Sequence, residues 1–297
     1  MRLIRAYIRR ELPAWGRLYA LAVGDYHRDQ RWRDSVPEWV KGKSHGYDML
    51  LNPAQWSNRF TYFVGRYHDA PNLILVRALL KHGGTFVDIG ANEGMISLEA
   101  ARQVGPAGRV ISFEPNPGPA NIFSAAIERN KLNQVDLRRT GLSDQAGVLK
   151  LYVPDINSGE GSFARKEGRE VTCPVMVADE ALSEVRPDFI KIDVEGFELK
   201  VLAGLKQTLA RSKAPISLEM HPQMLAAAGT SPKDLEALLG SYGYKGFAMS
   251  ERGQGKRLRL TLSEIRPSVG SYDGLFLHKD DPRTQTIRVD LARIAPY

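Results

Sequence analysis

The chain contains a single cysteine, Cys173. A lone thiol excludes an intramolecular disulfide framework and any zinc site built from cysteines. Long apolar runs are also missing: no uninterrupted stretch approaches the roughly 18 residues of a membrane span. The opening segment, MRLIRAYIRRELPAWGRLYALAVG, is basic, but Pro13 and Arg17 break its apolar part and no convincing cleavage site follows. It therefore reads poorly as a signal peptide, and a cytoplasmic location is the default expectation. There is no internal repeat and no low-complexity tract. Neither of the common glycine signatures for phosphate is present where a strand meets a helix. The dinucleotide pattern G-x-G-x-x-G is absent there, and so is the G-K-[ST] of a phosphate-binding loop.

Charge is unevenly placed. Residues 1–43 carry ten Lys/Arg and five Asp/Glu, so they hold five of the seven net positive charges of the chain. The basic balance therefore says little about the remainder. A solvated basic helix pair packed on the main domain is one reading of this segment. An anionic membrane surface, at the inner face of the membrane, or an acidic glycan is another. Nucleic acid is the least favoured partner.

From residue 85 onward, strand-like and helix-like stretches alternate. Strands are expected at 85–89, 109–113, 135–139, 189–193, 216–220, 244–249 and 275–278. Helices are expected near 93–104, 117–131, 196–211 and 231–241. An antiparallel insertion, GVLKLYV and VTCPVMV around a Gly/Ser loop, is expected between Gly147 and Leu182. This alternation predicts a doubly wound α/β sheet with helices on both faces. Such sheets bind ligands at the carboxyl ends of their strands, at the topological switch point. The expected organisation is a basic helical extension over residues 1–70, the main domain over 71–280 and a tail over 281–297.

The stretch FVDIGANEG, Phe86 to Gly94, falls at that switch point. Its pattern is Asp88-x-Gly90-x-x-x-Gly94. An acid just before the turn would repel a pyrophosphate but suits a cationic α-amino group. The turn glycines let the chain pass close to a ligand. The next strand ends ISFEPN, which places Glu114 just beyond its carboxyl end, where an acid commonly takes both hydroxyls of a ribose. An amino-acid end and a ribose end with no phosphate between them describe S-adenosylmethionine.

The segments FVDIGANEGMISLEAA, VISFEPNPGPANIFSAAIERN, LSDQAGVLKLYV, DFIKIDVEGFELKVLAGL and ISLEMHP together resemble the FkbM-type S-adenosylmethionine-dependent methyltransferases, over roughly residues 73–280. The resemblance implies a class I, Rossmann-like, seven-stranded sheet and, usually, O-methylation of hydroxyl groups on sugars or natural products. It implies that Asp88, Gly90, Asn92 and Gly94 lie along the methionine end of the cofactor. Glu114 would bind the ribose and Asn116 would lie beside the adenine. Ser143 and Asp144 would sit near the adenine and its amino group. Residues 1–70 are outside these motifs and are where acceptor choice is expected.

Methyl transfer to oxygen is an in-line displacement that needs an aligned acceptor and removal of its proton. KIDVEGFE puts Asp193 at the end of a strand on the same rim as Asp88, with Glu195 and Gly196 opening the next helix. SLEMHP puts Glu219 and His221, two apart, on one face of the neighbouring strand. His221 is the expected base because a histidine titrates near neutral pH. Asp193 is expected to hold the cofactor amine or the acceptor hydroxyl. Magnesium on Asp193, Glu219 and His221 is conceivable, since oxygen ligands suit it. The Asp, Asp and Asn arrangement of catechol-type enzymes is not evident, and no metal is expected. The loop NSGEGSF with Arg165 and Lys166 reads as a lid over a hydroxyl-bearing small molecule or glycan. Two rivals remain. RNA ribose 2′-O-methylation could use Lys191 and Lys200, which flank Asp193, and a non-catalytic cofactor-binding module would need no base at all.

Overall fold

The computed structural model describes residues 1–154, 161–165, 168–252, 259–265 and 271–283. Most of the expected lid, with Lys166, and the tail beyond residue 283 lie outside the described residues.

The strands in chain order are β1 (Glu38–Lys41), β2 (Asp48–Leu51), β3 (Thr85–Ile89), β4 (Arg109–Phe113), β5 (Val135–Arg138), β6 (Gly141–Ser143), β7 (Gly147–Val153), β8 (Arg169–Val177), β9 (Phe189–Ile192), β10 (Ile216–Met220), β11 (Tyr244–Arg252), β12 (Arg259–Glu264) and β13 (Tyr272–His278). The main sheet runs β12-β11-β13-β10-β9-β3-β4-β5. Strands β10, β9, β3, β4 and β5 are parallel, and β13, β11 and β12 extend the sheet antiparallel. All seven expected strands are present. The sheet carries an eighth, β12, on its edge beside β11.

Alternation along each strand supplies both faces of the sheet. Phe86, Val110 and Phe189 point to one core, with the helices Ala70–Leu79 and Met95–Val104 above them. Val87, Ile89, Ile111, Phe113, Ile190 and Ile192 point to the other core, under the helix Glu198–Gly204. Burying each such side chain contributes on the order of 1.5–3 kcal/mol. Strand order reverses at the β3–β9 junction, with all five strands still parallel: β4 and β5 lie to one side of β3, and β9 and β10 to the other. That junction is the switch point.

The helix expected over 196–211 is two helices, Glu198–Gly204 and Lys206–Ser212, with Leu205 between them. Gly204 packs so closely on β6 that a side chain there would meet the Ser143 carbonyl. The insertion is the antiparallel pair β7/β8, as expected, and β6 adds to it in parallel. Near the start, the helices Arg2–Arg9 and Trp15–Ala22 pack Ile8 and Val23 against Phe63 and Val64 of the helix Trp56–Val64. No helix among the described residues is long and apolar enough to cross a membrane.

A candidate active site at the carboxyl ends of the parallel strands

The turn after β3 is built by two residues in the left-handed region. Gly90 has φ +82° and Asn92 has φ +51°. The N–H groups of Gly90 and Ala91 both donate to the Phe113 carbonyl at 3.0 Å, which closes the turn onto β4. A side chain at Gly90 would strike the Asp193 carbonyl, so only glycine fits between β3 and β9 here. Gly94 also has φ +79°, but its space is filled by the Phe123 ring. It caps the helix Met95–Val104 and packs under the helix Pro117–Asn130, and it does not line the cavity described next.

Glu114 follows β4 directly. Its Oε2 accepts the Asn92 N–H at 2.8 Å and its Oε1 accepts the Asn116 N–H at 2.7 Å. The side chain is only 7% exposed. Burial raises its pKa to about 7, against the pull of those two backbone bonds. Gly90, Asn92, Glu114 and Asn116 line a cavity of about 260 Å³, together with Phe113, Leu142, Phe163 and Asp193. Thr140, Gly141 and Leu142 form the wall near the end of β5. Ser143 and Asp144 are not part of that wall. Ser143 bonds to Asp144 at 3.1 Å, and Asp144 pairs with Lys200 at 3.1 Å.

Asp88 lies one step deeper, 1% exposed. It lines a small adjoining cavity with Gly90, Asn92, Lys191 and Asp193. Its Oδ2 accepts the Ser97 hydroxyl at 2.6 Å, and its Oδ1 has no hydrogen-bond partner. Lys191 Nζ is 3.7 Å from that oxygen and 3.0 Å from Asp193 Oδ2. Burial pushes the Asp88 pKa up, and Lys191 and Ser97 oppose this. Burial would lower the Lys191 pKa, but Asp193, Asp88 and Asp69 outweigh it and the net shift is upward. Lys191 is thus a permanent cation beneath the site.

The acceptor side is built from β9 and β10. Asp193 follows β9, and its N–H donates to the Ile89 carbonyl at 3.0 Å. The turn continues through Glu195 at φ +54° and Gly196 at φ +102°. Glu198, the first residue of the next helix, reaches back to hold this turn: its Oε1 accepts the N–H groups of Val194 at 3.2 Å and Gly196 at 3.1 Å. Glu219, on β10, shares a hydrogen bond with Asp193, and its Oε2 has no partner. The Asp193 charge and then burial raise the Glu219 pKa well above the ordinary value. For Asp193, burial raises the pKa, but Lys191 and the hydrogen bond from Glu219 bring it below the ordinary value. The opposite shifts favour a proton on Glu219 and an ionised Asp193.

His221 is placed at the start of a short helix, Pro222–Ala227, where its Nδ1 accepts the Met224 N–H at 3.4 Å. A neutral ring whose Nδ1 accepts carries its proton on Nε2, so this geometry donates outward. His221 lines a side cavity with Arg165, Glu195 and Glu219, and those two acids also line the main cavity, which His221 itself does not. Among the described residues, Asp193, Glu195 and Glu219 place carboxylate oxygens within 4.8 Å of one another, a set able to hold a divalent ion. His221 is not in that set. The Lys191 ammonium and the proton favoured on Glu219 already meet much of its charge.

Trp56, Tyr67 and His68 complete the main cavity and come from the segment that no motif covers. The His68 ring lies 4.6 Å from Trp56 and 4.2 Å from Tyr67, centroid to centroid. A fourth cavity, of about 280 Å³, adjoins the main one, and its lining includes five carboxylates: Asp69, Asp193, Glu219, Glu251 and Asp273. The only sequence signal for this wall is that His68 directly precedes the Asp69 helix cap. Its Oδ1 accepts the Asn72 N–H at 3.1 Å.

The methyltransferase FkbM domain matches residues 88–245, more than half of the chain. The chain belongs to the FkbM methyltransferase family. S-adenosylmethionine is the family's cofactor. The Glu114 carboxylate above the glycine turn would suit its ribose hydroxyls, and the Asp88 oxygen that accepts no hydrogen bond would suit its amino group. Among relatives, the hexuronic acid methyltransferase AglP of Haloferax volcanii is 30% identical over 155 residues, covering 51% of this chain and 59% of that protein. Methyltransferase sdnD of Sordaria araneosa is 31% identical over 156 residues, covering 41% of this chain and 60% of that protein. The chain thus spans about three-fifths of the length of these relatives. The crystal structure of methyltransferase FkbM from Methylobacillus flagellatus superposes with a TM-score of 0.42 at 16% identity, covering 92% of this chain and 58% of that one.

Proposed function

We propose that this FkbM-family methyltransferase transfers a methyl group from S-adenosylmethionine to a hydroxyl of a sugar, glycan or other natural product. One observation carries the reading. The cavity with the ribose-type acid and the cavity with the five carboxylates meet at four side chains, Tyr67, His68, Asp193 and Glu219. A cofactor in the first and an acceptor in the second would react across those four. When bound, the cofactor supplies an electrophilic methyl group on a sulfonium. This chain's residues would seat it, align the acceptor and take up one proton. Asp88, Gly90, Asn92, Glu114 and Asn116 form the proposed seat. Asp193 and Glu219 would hold the acceptor hydroxyl, with His221 on the outer rim.

The carboxylates of the acceptor cavity favour a neutral or amine-bearing acceptor over an anionic one. They also weigh against RNA, as does Lys200, whose ammonium pairs with Asp144 at the surface instead of flanking Asp193. We further propose that residues 1–43 contact an anionic membrane surface weakly. Leu3 and Leu21 are 87% and 73% exposed there, and Arg10, Arg17, Arg28, Arg31 and Arg33 are exposed as well. Sedimentation with phosphatidylserine vesicles at low and high salt tests that contact.

Calorimetry with S-adenosylhomocysteine and with NAD tests the cofactor. Micromolar binding of the first and none of the second is expected, and the reverse preference would overturn the reading. Product formation over a panel of neutral, amino and uronic sugars then ranks the acceptors.

A further inference from the structure

His68 belongs to none of the sequence motifs, yet it stands where the two cavities join. Its ring packs against Trp56 and Tyr67, tilted 52° and 58° to them, and its Nδ1 is buried with no hydrogen-bond partner. A buried imidazole nitrogen without a partner is an unmet polar group, and such groups in a native structure call for a functional account. We propose that His68 is the base that takes the proton of the acceptor hydroxyl. The proposal rests on the methyl-transfer reading given above.

The other three side chains at the junction are poorly suited to the task. Tyr67 carries its own proton, because burial and then neighbouring acids raise its pKa. The Asp193 charge and burial raise the Glu219 pKa well above the ordinary value, which favours its protonated form. Asp193 is ionised but held by Lys191, which makes it a weak base. His68 is neutral: burial lowers its pKa, and Asp69 and Asp193 only partly offset this. Those same two acids favour the imidazolium once a proton arrives. In the step, the acceptor O–H bond breaks and its proton passes to the imidazole. The acceptor oxygen bonds to the methyl carbon, and the S–CH₃ electron pair stays on sulfur. The proton on His68 then leaves to solvent. Besides Tyr67 and His68, the titratable groups that line the two cavities around this junction are Asp69 on the same segment, Glu114 after β4, Lys191 on β9, Asp193 and Glu195 after it, Glu219 on β10, Glu251 on β11 and Asp273 on β13.

Two measurements on the full chain test the assignment. Nitrogen-15 NMR of labelled histidine, with S-adenosylhomocysteine bound, is expected to show His68 neutral at pH 7, with a midpoint below the ordinary 6.5. A His68 ring charged at pH 7 overturns the proposal. In the second, His68→Asn is assayed with D-glucosamine as the acceptor probe. Methyl transfer is expected to fall by at least about a hundredfold, with partial recovery as pH rises, while S-adenosylhomocysteine affinity stays within about twofold. Transfer within about threefold of native, or parallel loss of cofactor affinity and thermal stability, overturns the base role. A native protein that binds no S-adenosylhomocysteine would fail the underlying reading instead, and calorimetry separates the two.

Discussion

Glu114 links the turn geometry to a measurable pH effect. Its carboxylate is held by two backbone N–H groups, so its position does not depend on a ligand. Its pKa, raised to about 7 by burial, means that the ligand-free site titrates near neutrality. Ribose hydroxyls donate, so they favour the ionised form. Affinity for S-adenosylhomocysteine is therefore expected to rise between pH 6 and 8, as Glu114 loses its proton, and calorimetry across that range would show it. Glu114→Gln should weaken binding by roughly 1–3 kcal/mol, the scale of lost charge-assisted hydrogen bonds. It should also flatten the pH dependence, and retained affinity with the same slope would remove Glu114 from the ribose. Gly90→Ala should abolish binding without any change of charge, because the added carbon meets the Asp193 carbonyl and the φ of +82° suits glycine alone.

Among the elements, β3, β4, β9 and β10 were legible because each is a short apolar run with an acid one position before or one position beyond its last residue, a pattern that both cores and the site require. Strand β12 was not legible. Its burial alternates poorly, and it is held at the sheet edge by pairing with β11, a contact no local pattern encodes. The break at Leu205 also escaped: beside it Gly204 packs against β6, some sixty positions earlier in the chain, a contact that spacing cannot show. The acids of the site followed from strand ends. Trp56, Tyr67 and His68 did not, because they reach the rim through the packing of the helix Trp56–Val64 and the Asp69 cap, which spacing cannot show. Gly94→Ala tests the difference between turn and packing roles. The added methyl would meet the Phe123 ring in a left-handed backbone, so the melting temperature should fall by several degrees while the ligand-saturated rate persists. A selective loss of cofactor affinity at unchanged stability would return Gly94 to the cofactor.

For the molecule as a whole, buried acids set the dependence of stability on pH. Burial raises Glu93, Glu114 and Glu198 to about 7 and Asp273 likewise to about 7. Their folded-state pKa values exceed the unfolded ones, so the folded chain keeps protons that the unfolded chain has released. Their contribution is full below the unfolded values and is lost as pH rises through about 7. Buried His45, lowered to about 4, acts the other way, but only below its unfolded 6.5. Between pH 6.5 and 8 the acids act alone, and the ligand-free melting temperature should drop across that interval. Integrity of the cavity wall depends in turn on the first forty-three residues. Arg59 is fully buried and donates to the carbonyls of Asp25 at 2.6 Å, Gly24 at 3.4 Å and Pro53 at 2.9 Å. Removing residues 1–43 takes away two of those acceptors and uncovers Phe63 and Val64, on the helix that begins at Trp56. A buried guanidinium left short of partners costs on the order of 3 kcal/mol or more. Truncation is thus expected to lower the melting temperature and impair acceptor turnover through the displaced Trp56–His68 wall. S-adenosylhomocysteine binding should suffer less, because Glu114 and the Gly90 turn stand on β3 and β4. A truncated chain with native stability and native turnover would show that the basic segment serves only contacts outside the molecule.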